Sequence, residues 1–431
     1  MEETRIVILG GGFAGLYTAL ELEKRLRRKD NVSVSLLNNE NFFLFTPMLP
    51  EAGAGSIGTR HIVSPLRKLL RRTRFAEVRV ENIDLESRTV SARHSLTGQL
   101  REFPFDRLVI TLGGVPNYFG ILGAREHTLP FKTLGDAIYV RNHTINRLEE
   151  AAVEPERIDS LLSFAVVGGG LTGVEVAGAL NDFVREAVKF YPEIDRSRIR
   201  MLLIEAGPRL MPEMNERLAG FAEEVLRERG VEVLTSTAVT KVTEHGLELS
   251  NGEKRESDTI IWGAGVTTNP LIRKLDLPKD ERGRIRVNEY MEVEGMEHIW
   301  ALGDCARIPD LQSGKPHPPT AQHAVREGKT AGRNVAASLG VGERRAFEYR
   351  TMGQLALVGE RTGVADMMGY RFSGFIAWFM WRTYYLMRIP LLEKRLRVMM
   401  DWTLDLFFER DIVQLAVTRE RETAPESKLL A

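Results

Sequence analysis

Apolar residues fall in short closed runs, each followed by a turn and then an amphipathic stretch. Residues 5–9 (RIVIL) have the length and apolarity of a buried strand, 10–15 (GGGFAG) form a glycine turn, 16–28 carry a helical pattern, and 32–37 form the next strand. Gly10, Gly12 and Gly15 fit G-x-G-x-x-G in the strand–turn–helix setting of a dinucleotide-binding βαβ unit. The pattern recurs at 164–167 (strand), Gly168, Gly170 and Gly173 (turn), 174–191 (helix) and 201–204 (strand), which ends at Glu205. Residues 78–83 parallel 231–236, and 106–111 parallel 258–262, the last pair each followed by a glycine-rich turn. A third landmark, IWALGDCA at 299–306, reads as a strand that stops at Gly303-Asp304, with a helical stretch over 320–339 behind it.

These patterns predict an α/β fold of two Rossmann-like dinucleotide-binding domains, the second inserted in the first, plus a C-terminal α+β appendage facing a membrane. The predicted boundaries are 1–120 and 269–344 for the first domain, 121–268 for the second and 345–431 for the appendage. In the appendage, 349–358 and 361–368 read as strands, Pro390 separates two helices, and the polar tail 419–431 is expected to fray.

Composition then narrows the function. Of 431 residues, 59 are Lys or Arg and 59 are Asp or Glu, so no overall charge draws the chain to nucleic acid. Cys305 is the single cysteine, which excludes an intrachain disulfide, a CxxC redox centre and a cysteine-cluster metal site. No HExxH or paired histidines are present, so no metal is expected, and with no GxSxG elbow and no GK[ST] ending on the glycine turns neither a serine nucleophile of that type nor nucleotide hydrolysis is expected. The N-terminus is acidic rather than signal-like, and no run reaches the roughly 18 apolar residues of a membrane span.

The glycine turns act through the backbone. They permit a tight turn, let a pyrophosphate approach the main chain and pack helix on strand, with the helix N-terminus holding phosphate charge. Glu205 stands where a carboxylate binds ribose hydroxyls and repels a 2′-phosphate, which favours NADH over NADPH, although Arg209 follows closely. The same position in the first unit is Asn38, followed by Asn39 and Glu40, with Glu40 a candidate substitute. Asp304 can accept hydrogen bonds from a ribityl chain or simply cap a turn. The helix starting near Thr320 would direct its positive end at an anionic group. Cys305 beside Asp304 reads equally as a small buried residue.

The motifs GGGFAG (10–15), LFTPMLP (44–50), VVGGGLTGVE (166–175), WALGDC (300–305) and PTAQHA (319–324), with the aromatic-basic C-terminus, resemble the type II NADH:quinone oxidoreductases. The resemblance covers nearly the whole chain. It implies noncovalent FAD on the first unit, NADH on the second, and a quinone taken from the membrane as acceptor. It places Gly10, Gly12, Phe13, Ala14, Gly15, Asn38, Asn39, Ile83, Thr111, Gly113, Asp304, Thr320, Ala321 and Gln322 at FAD. It places Gly168, Gly170, Leu171, Thr172, Gly173, Glu205, Ala264 and Gly265 at NADH. Glu175 matches a family glutamate at the flavin–nicotinamide contact, or is a first-turn carboxylate favoured by the helix dipole. Glu175, Gln322 and Arg326 are the catalytic candidates. The family helix reads A-Q-x-A-x-Q, so Arg326 replaces its second glutamine and is either a quinone ligand or a surface charge. A soluble NAD(P)H-dependent flavin reductase serving another acceptor and a nicotinamide-sensing flavoprotein are the competing readings. Sulfide:quinone and flavin disulfide reductases need cysteines that this chain lacks.

Residues 374–408 mix Phe375, Ile376, Trp378, Phe379, Met380, Trp381, Tyr384, Tyr385, Leu386 and Met387 with Arg382, Arg388, Lys394, Arg395 and Arg397. That mixture suits an anionic bilayer surface, with packing on the flavin domain or a homodimer interface as the alternatives. The expected location is the cytoplasmic face of the cell membrane, as a peripheral, monotopic protein.

Overall fold

The computed structural model describes residues 3–414. Seven strands form the first sheet in the order Ile299–Ala301, Arg107–Ile110, Thr4–Leu9, Val32–Asn38, Arg74–Asp84, Thr89–His94, Leu100–Pro104. Its first five strands are parallel, and the last two extend it as an antiparallel meander. The register pairs Leu9 with both Leu37 and Ile110, and Ile110 with Ala301. All four strand ends therefore meet at one edge, where α/β sheets bind ligands. The return of Ile299–Ala301 to this sheet makes the second unit an insertion.

The inserted sheet runs Leu129–Pro130, Thr259–Trp262, Ser163–Val167, Arg200–Ile204, Val231–Leu234. Every residue of Ser163–Val167 is buried, because both faces of a parallel sheet are covered by helices. The two links between the units pair with each other: Gly114–Pro116 is antiparallel to Val266–Thr268.

The helix Phe13–Arg25 packs against Ala321–Ala337 along a close crossing. Gly328 permits it, since a Cβ there would lie 2.4 Å from the Ala14 carbonyl oxygen. The C-terminal region opens with a three-stranded antiparallel sheet, Gly353–Leu357, Gly363–Met367 and Tyr370–Gly374. Two helices follow, Phe375–Arg388 and Leu392–Leu404, separated at Pro390 as the sequence predicts. The predicted fraying of 419–431 lies outside the described residues. Among the described residues no helix is long and apolar enough to cross a membrane.

Candidate functional site

A single cleft runs between the two units. It is lined by Gly12, Phe13, Ala14, Thr111 and Gly113 from the first unit, Leu171, Thr172, Glu175 and Gly265 from the second, and Asp304, Thr320 and Ala321 from the return segment. Three helix N-termini meet there, at Gly12, Gly170 and Thr320, and none has a side-chain cap. Two long helices elsewhere in the inserted unit are capped: Thr133 and Asp136 form a capping box on Leu134–Val153, and Asn215 caps Glu216–Glu228. Uncapped N–H groups aimed at a common space suit anionic ligands.

The turns leave room for such ligands. A Cβ on Gly12 or Gly170 would meet no protein atom within 4 Å, so the space beside each helix start is open. The other glycines close the turn. Gly10 and Gly168 have φ of +102° and +107°. A Cβ on Gly15 would lie 1.9 Å from the Gly10 oxygen, and one on Gly173 1.7 Å from the Gly168 oxygen. Thr111 Oγ1 donates to the Leu9 carbonyl at 2.7 Å and fixes the strand end beneath the first turn.

Asn38 Oδ1 accepts from the Gly11 N–H at 2.8 Å while its Nδ2 donates to the Glu40 carbonyl at 2.8 Å. Glu205 accepts from Gly169 N–H and Gly207 N–H, both at 2.6 Å. Arg209 turns away onto the Met214 and Pro212 carbonyls, which leaves the Glu205 charge unpaired by it. Ala264 stands against Gly168. Asn39 and Glu40 are exposed. The structure does not bring Ile83 to the cleft. It is buried opposite Val90, farther along the strand than Glu77, the residue that pairs with Asn38.

Asp304 lies 3.6 Å from Lys132 Nζ, a cleft residue that no sequence signal marks. Behind Asp304, the Gly303 N–H donates to Glu327 Oε2 at 2.9 Å. Burial, aided by Asp304, pushes the Glu327 carboxyl up to about 8. Glu327 was also missed: its place on a helix of small residues is a signal only once Gly328 is known to face the neighbouring helix. Cys305 is buried within reach of the Leu302 and Ile110 carbonyls, and burial pushes its thiol up to about 12, which makes it inert packing.

Glu175 sits one turn into the second glycine helix. Its Oε1 accepts from the Leu357 N–H and the Trp381 Nε1–H, both at 3.2 Å, and burial pushes its carboxyl up to about 8. Near neutral pH such a carboxyl can carry or release a proton, as a general acid requires. A second pocket adjoins the cleft through shared Phe13, Leu171, Thr320, Ala321 and Tyr385, and it contains Gln322 and Arg326. Gln322 Nε2 donates to the Gly353 carbonyl at 3.1 Å, and Tyr349 OH donates to Gln322 Oε1 at 3.0 Å. The Arg326 guanidinium lies 4.0 Å from the centre of the Tyr349 ring. Arg326 is therefore a pocket residue rather than a free surface charge.

The C-terminal helices correct one expectation. Trp378, Trp381 and Trp402 are buried, so they are not the surface aromatics of a lipid face. Arg382 is held between Trp378 and Trp402 at 4.3 and 4.6 Å, with Glu51 at 3.2 Å, and does not face solvent either. Tyr384, Tyr385 and Arg388 line the second pocket. The exposed apolar side chains include Phe375, Ile376, Phe379 and Met387, then Leu392, Leu396, Met399, Met400 and Leu404, and beyond them Leu406, Phe407 and Phe408.

The chain matches the pyridine nucleotide-disulphide oxidoreductase family over residues 4–328 and the NDH2 C-terminal domain over residues 352–411. It is 31% identical to the type II NADH:quinone oxidoreductase Ndh of Mycobacterium tuberculosis, across 97% of this chain and 91% of that one. It is 30% identical to the mitochondrial external alternative NADH-ubiquinone oxidoreductase of Yarrowia lipolytica, across 94% and 80%. The structure of NDH2 from Plasmodium falciparum in complex with NADH shares the fold, with TM-score 0.88 at 22% identity over 96% of this chain and 100% of that chain. Fold and glycine turns define a pyridine nucleotide-disulphide oxidoreductase, one whose lone buried cysteine leaves it without a dithiol. Within that class the chain belongs to the type II NADH:quinone oxidoreductase family.

Proposed function

We propose that this chain carries out its family's reaction, NADH + H⁺ + quinone → NAD⁺ + quinol, with FAD on the unit formed by 1–120 and 269–344 and NADH on 121–268. The observation that carries the reading is the convergence of three uncapped helix N-termini and Glu175 on one cleft that joins the pocket of Gln322 and Arg326. When bound, FAD supplies the two-electron chemistry that no side chain here can supply. The open ledges at Gly12 and Gly170 fit pyrophosphates, and Asp304 with Lys132 offers an acceptor and a donor to a polar cofactor chain. Glu205 binds the NADH ribose and disfavours a 2′-phosphate. Glu175 holds a proton at the cleft. Gln322 and Arg326 orient the quinone carbonyls. Arg326→Gln is expected to raise the quinone KM about tenfold through a lost charge-assisted hydrogen bond, with flavin reduction by NADH within about twofold of normal. Equal slowing of both half-reactions would remove Arg326 from the quinone side.

The exposed apolar side chains of the last two helices, flanked by Arg388 and Arg397, are assigned to the bilayer surface through residues 374–408. NADH is an intracellular reductant, which supports assigning that surface to the cytoplasmic face. Phe379→Glu combined with Leu396→Glu is expected to cut liposome binding at least about tenfold, since each replaces buried apolar area with a charge. Retained liposome binding together with loss of a dimer in size-exclusion chromatography would give the face to a second copy instead.

A further inference from the structure

The cleft has a back door. Glu175 lines not only the cleft but a second, small chamber, whose charged lining is Glu51, Asp182, Glu360, Arg382, Asp405 and Arg410 and whose apolar lining includes Pro47, Leu357 and Trp378. Its outer wall is the turn at Gly359 and exposed Glu360. The chamber measures about 30 Å³, and one water needs roughly 10–15 Å³, so about two waters fit. Three buried polar atoms around it, Glu51 Oε2, Arg382 Nε and Arg410 Nη1, have no hydrogen-bond partner within the described protein. Buried polar atoms without partners are costly, and a polar space of this size beside them is where water is retained.

We propose that this chamber is a hydrated proton inlet to Glu175, with Glu51 as its relay. The proposal rests on the reading of Glu175 given above and adds the route by which its proton arrives. The overall reaction takes one proton from solvent per turnover, the second quinol proton deriving from NADH. The remaining charged groups around the chamber are held in pairs, with Glu360 at its solvent side 3.3 Å from Arg361. Arg382 binds Glu51 at 3.2 Å and reaches Asp405 at 4.0 Å, Arg410 lies 3.4 Å from Asp405 and 3.5 Å from Glu186, and Asp182 is 3.1 Å from Arg229. That leaves the second Glu51 oxygen as the acceptor facing water. Burial raises the Glu51 carboxyl above its ordinary range despite Arg382, and the Glu51 charge in turn helps to raise Glu175. A proton taken by Glu51 from chamber water passes through water to Glu175. Glu175, which lines the cleft that adjoins the quinone pocket, passes it on toward the quinone oxygen as NADH-derived electrons arrive, and both carboxyls return to their starting state.

The test separates the two half-reactions of the FAD-loaded protein by anaerobic stopped-flow, with a water-soluble quinone, in H₂O and D₂O. Glu51→Gln is expected to slow flavin reoxidation by quinone at least about tenfold and to enlarge its solvent isotope effect, while reduction by NADH stays within about twofold. Glu51→Asp is expected to restore most of the rate with the pH profile displaced toward lower pH; an unmoved profile would overturn the relay. Glu51→Gln combined with Arg382→Gln removes the unpaired buried cation and is expected to remain slow; recovery would make Glu51 merely an ion-pair partner. A normal reoxidation rate in Glu51→Gln would also overturn the inlet. If Glu175→Gln is slow and Glu51→Gln is normal, the inlet alone fails; if both are normal, the reading of Glu175 fails with it.

Discussion

In the first unit the middle glycine of the turn, Gly11, donates its N–H to Asn38 Oδ1; in the second, Gly169 donates to Glu205 Oε2. The two turns match in strand register, in the left-handed φ of Gly10 and Gly168, and in the contacts that exclude a Cβ at Gly15 and Gly173. The difference is one of charge. The Asn38 amide is used at both ends inside its own turn, whereas Glu205 puts a carboxyl group at the strand end, both of whose oxygens accept backbone N–H groups. Closing the turn thus needs only an acceptor oxygen, and the carboxylate adds a second property in one unit, to which the proposed function assigns selection of the nucleotide.

The largest expected effect comes from Gly15→Ala and Gly173→Ala. Neither turn can admit the added carbon without backbone movement, and misplacement of a reacting group costs about 100-fold or more. Gly15→Ala is expected to purify without FAD, read from its visible spectrum. Gly173→Ala is expected to keep FAD and lose about 100-fold or more in flavin reduction by NADH. Loss of the same function from both would break the division between the units. Next, Glu205→Gln preserves an acceptor for Gly169 and removes the charge. The NADH-to-NADPH preference in kcat/KM is expected to fall about tenfold, and an unchanged ratio would take the ribose role from Glu205.

The smallest effect concerns one buried carboxyl in each unit, Glu327 and Glu175. Both are pushed up to about 8 from 4.5, so in the apoprotein the folded state holds protons that the unfolded state releases between those values. Their contribution is complete below pH 4.5 and is lost as pH rises through about 8. Urea unfolding of the apoprotein should show stability falling with pH across that window from this pair. Glu327→Gln should flatten the fall by on the order of a kcal/mol or more. A slope unaltered by the substitution would mean that Glu327 is ionised in the folded protein.

Strand-length apolar runs and glycine spacing carried much of this architecture, because they report which residues face a core locally. Both turns, the return strand Ile299–Ala301 and the first two strands of the C-terminal sheet follow from such runs, while its third strand, Tyr370–Gly374, does not. The pairing of the two inter-domain links did not, since Gly114–Pro116 and Val266–Thr268 meet only after both sheets have formed. Lys132 reaches Asp304, and Glu327 reaches Gly303, by the same kind of tertiary closure. The tryptophans expected at a membrane show the limit most clearly. Aromatic and basic residues at helical spacing describe a lipid-facing surface and a buried Trp–Arg–Trp stack equally well, and Glu51 and Asp405 decide for the stack around Arg382. Ile83 lies away from the cleft for a related reason, because its strand continues past the ligand edge into an antiparallel extension.

The most direct test of the central claim is anaerobic sequential mixing of the FAD-loaded protein, first with NADH and then with a quinone. The account predicts that NADH bleaches the flavin absorbance, and that reoxidation accelerates and saturates with quinone concentration. Flavin that NADH leaves oxidised, or reduced flavin whose reoxidation ignores every quinone supplied, would contradict it.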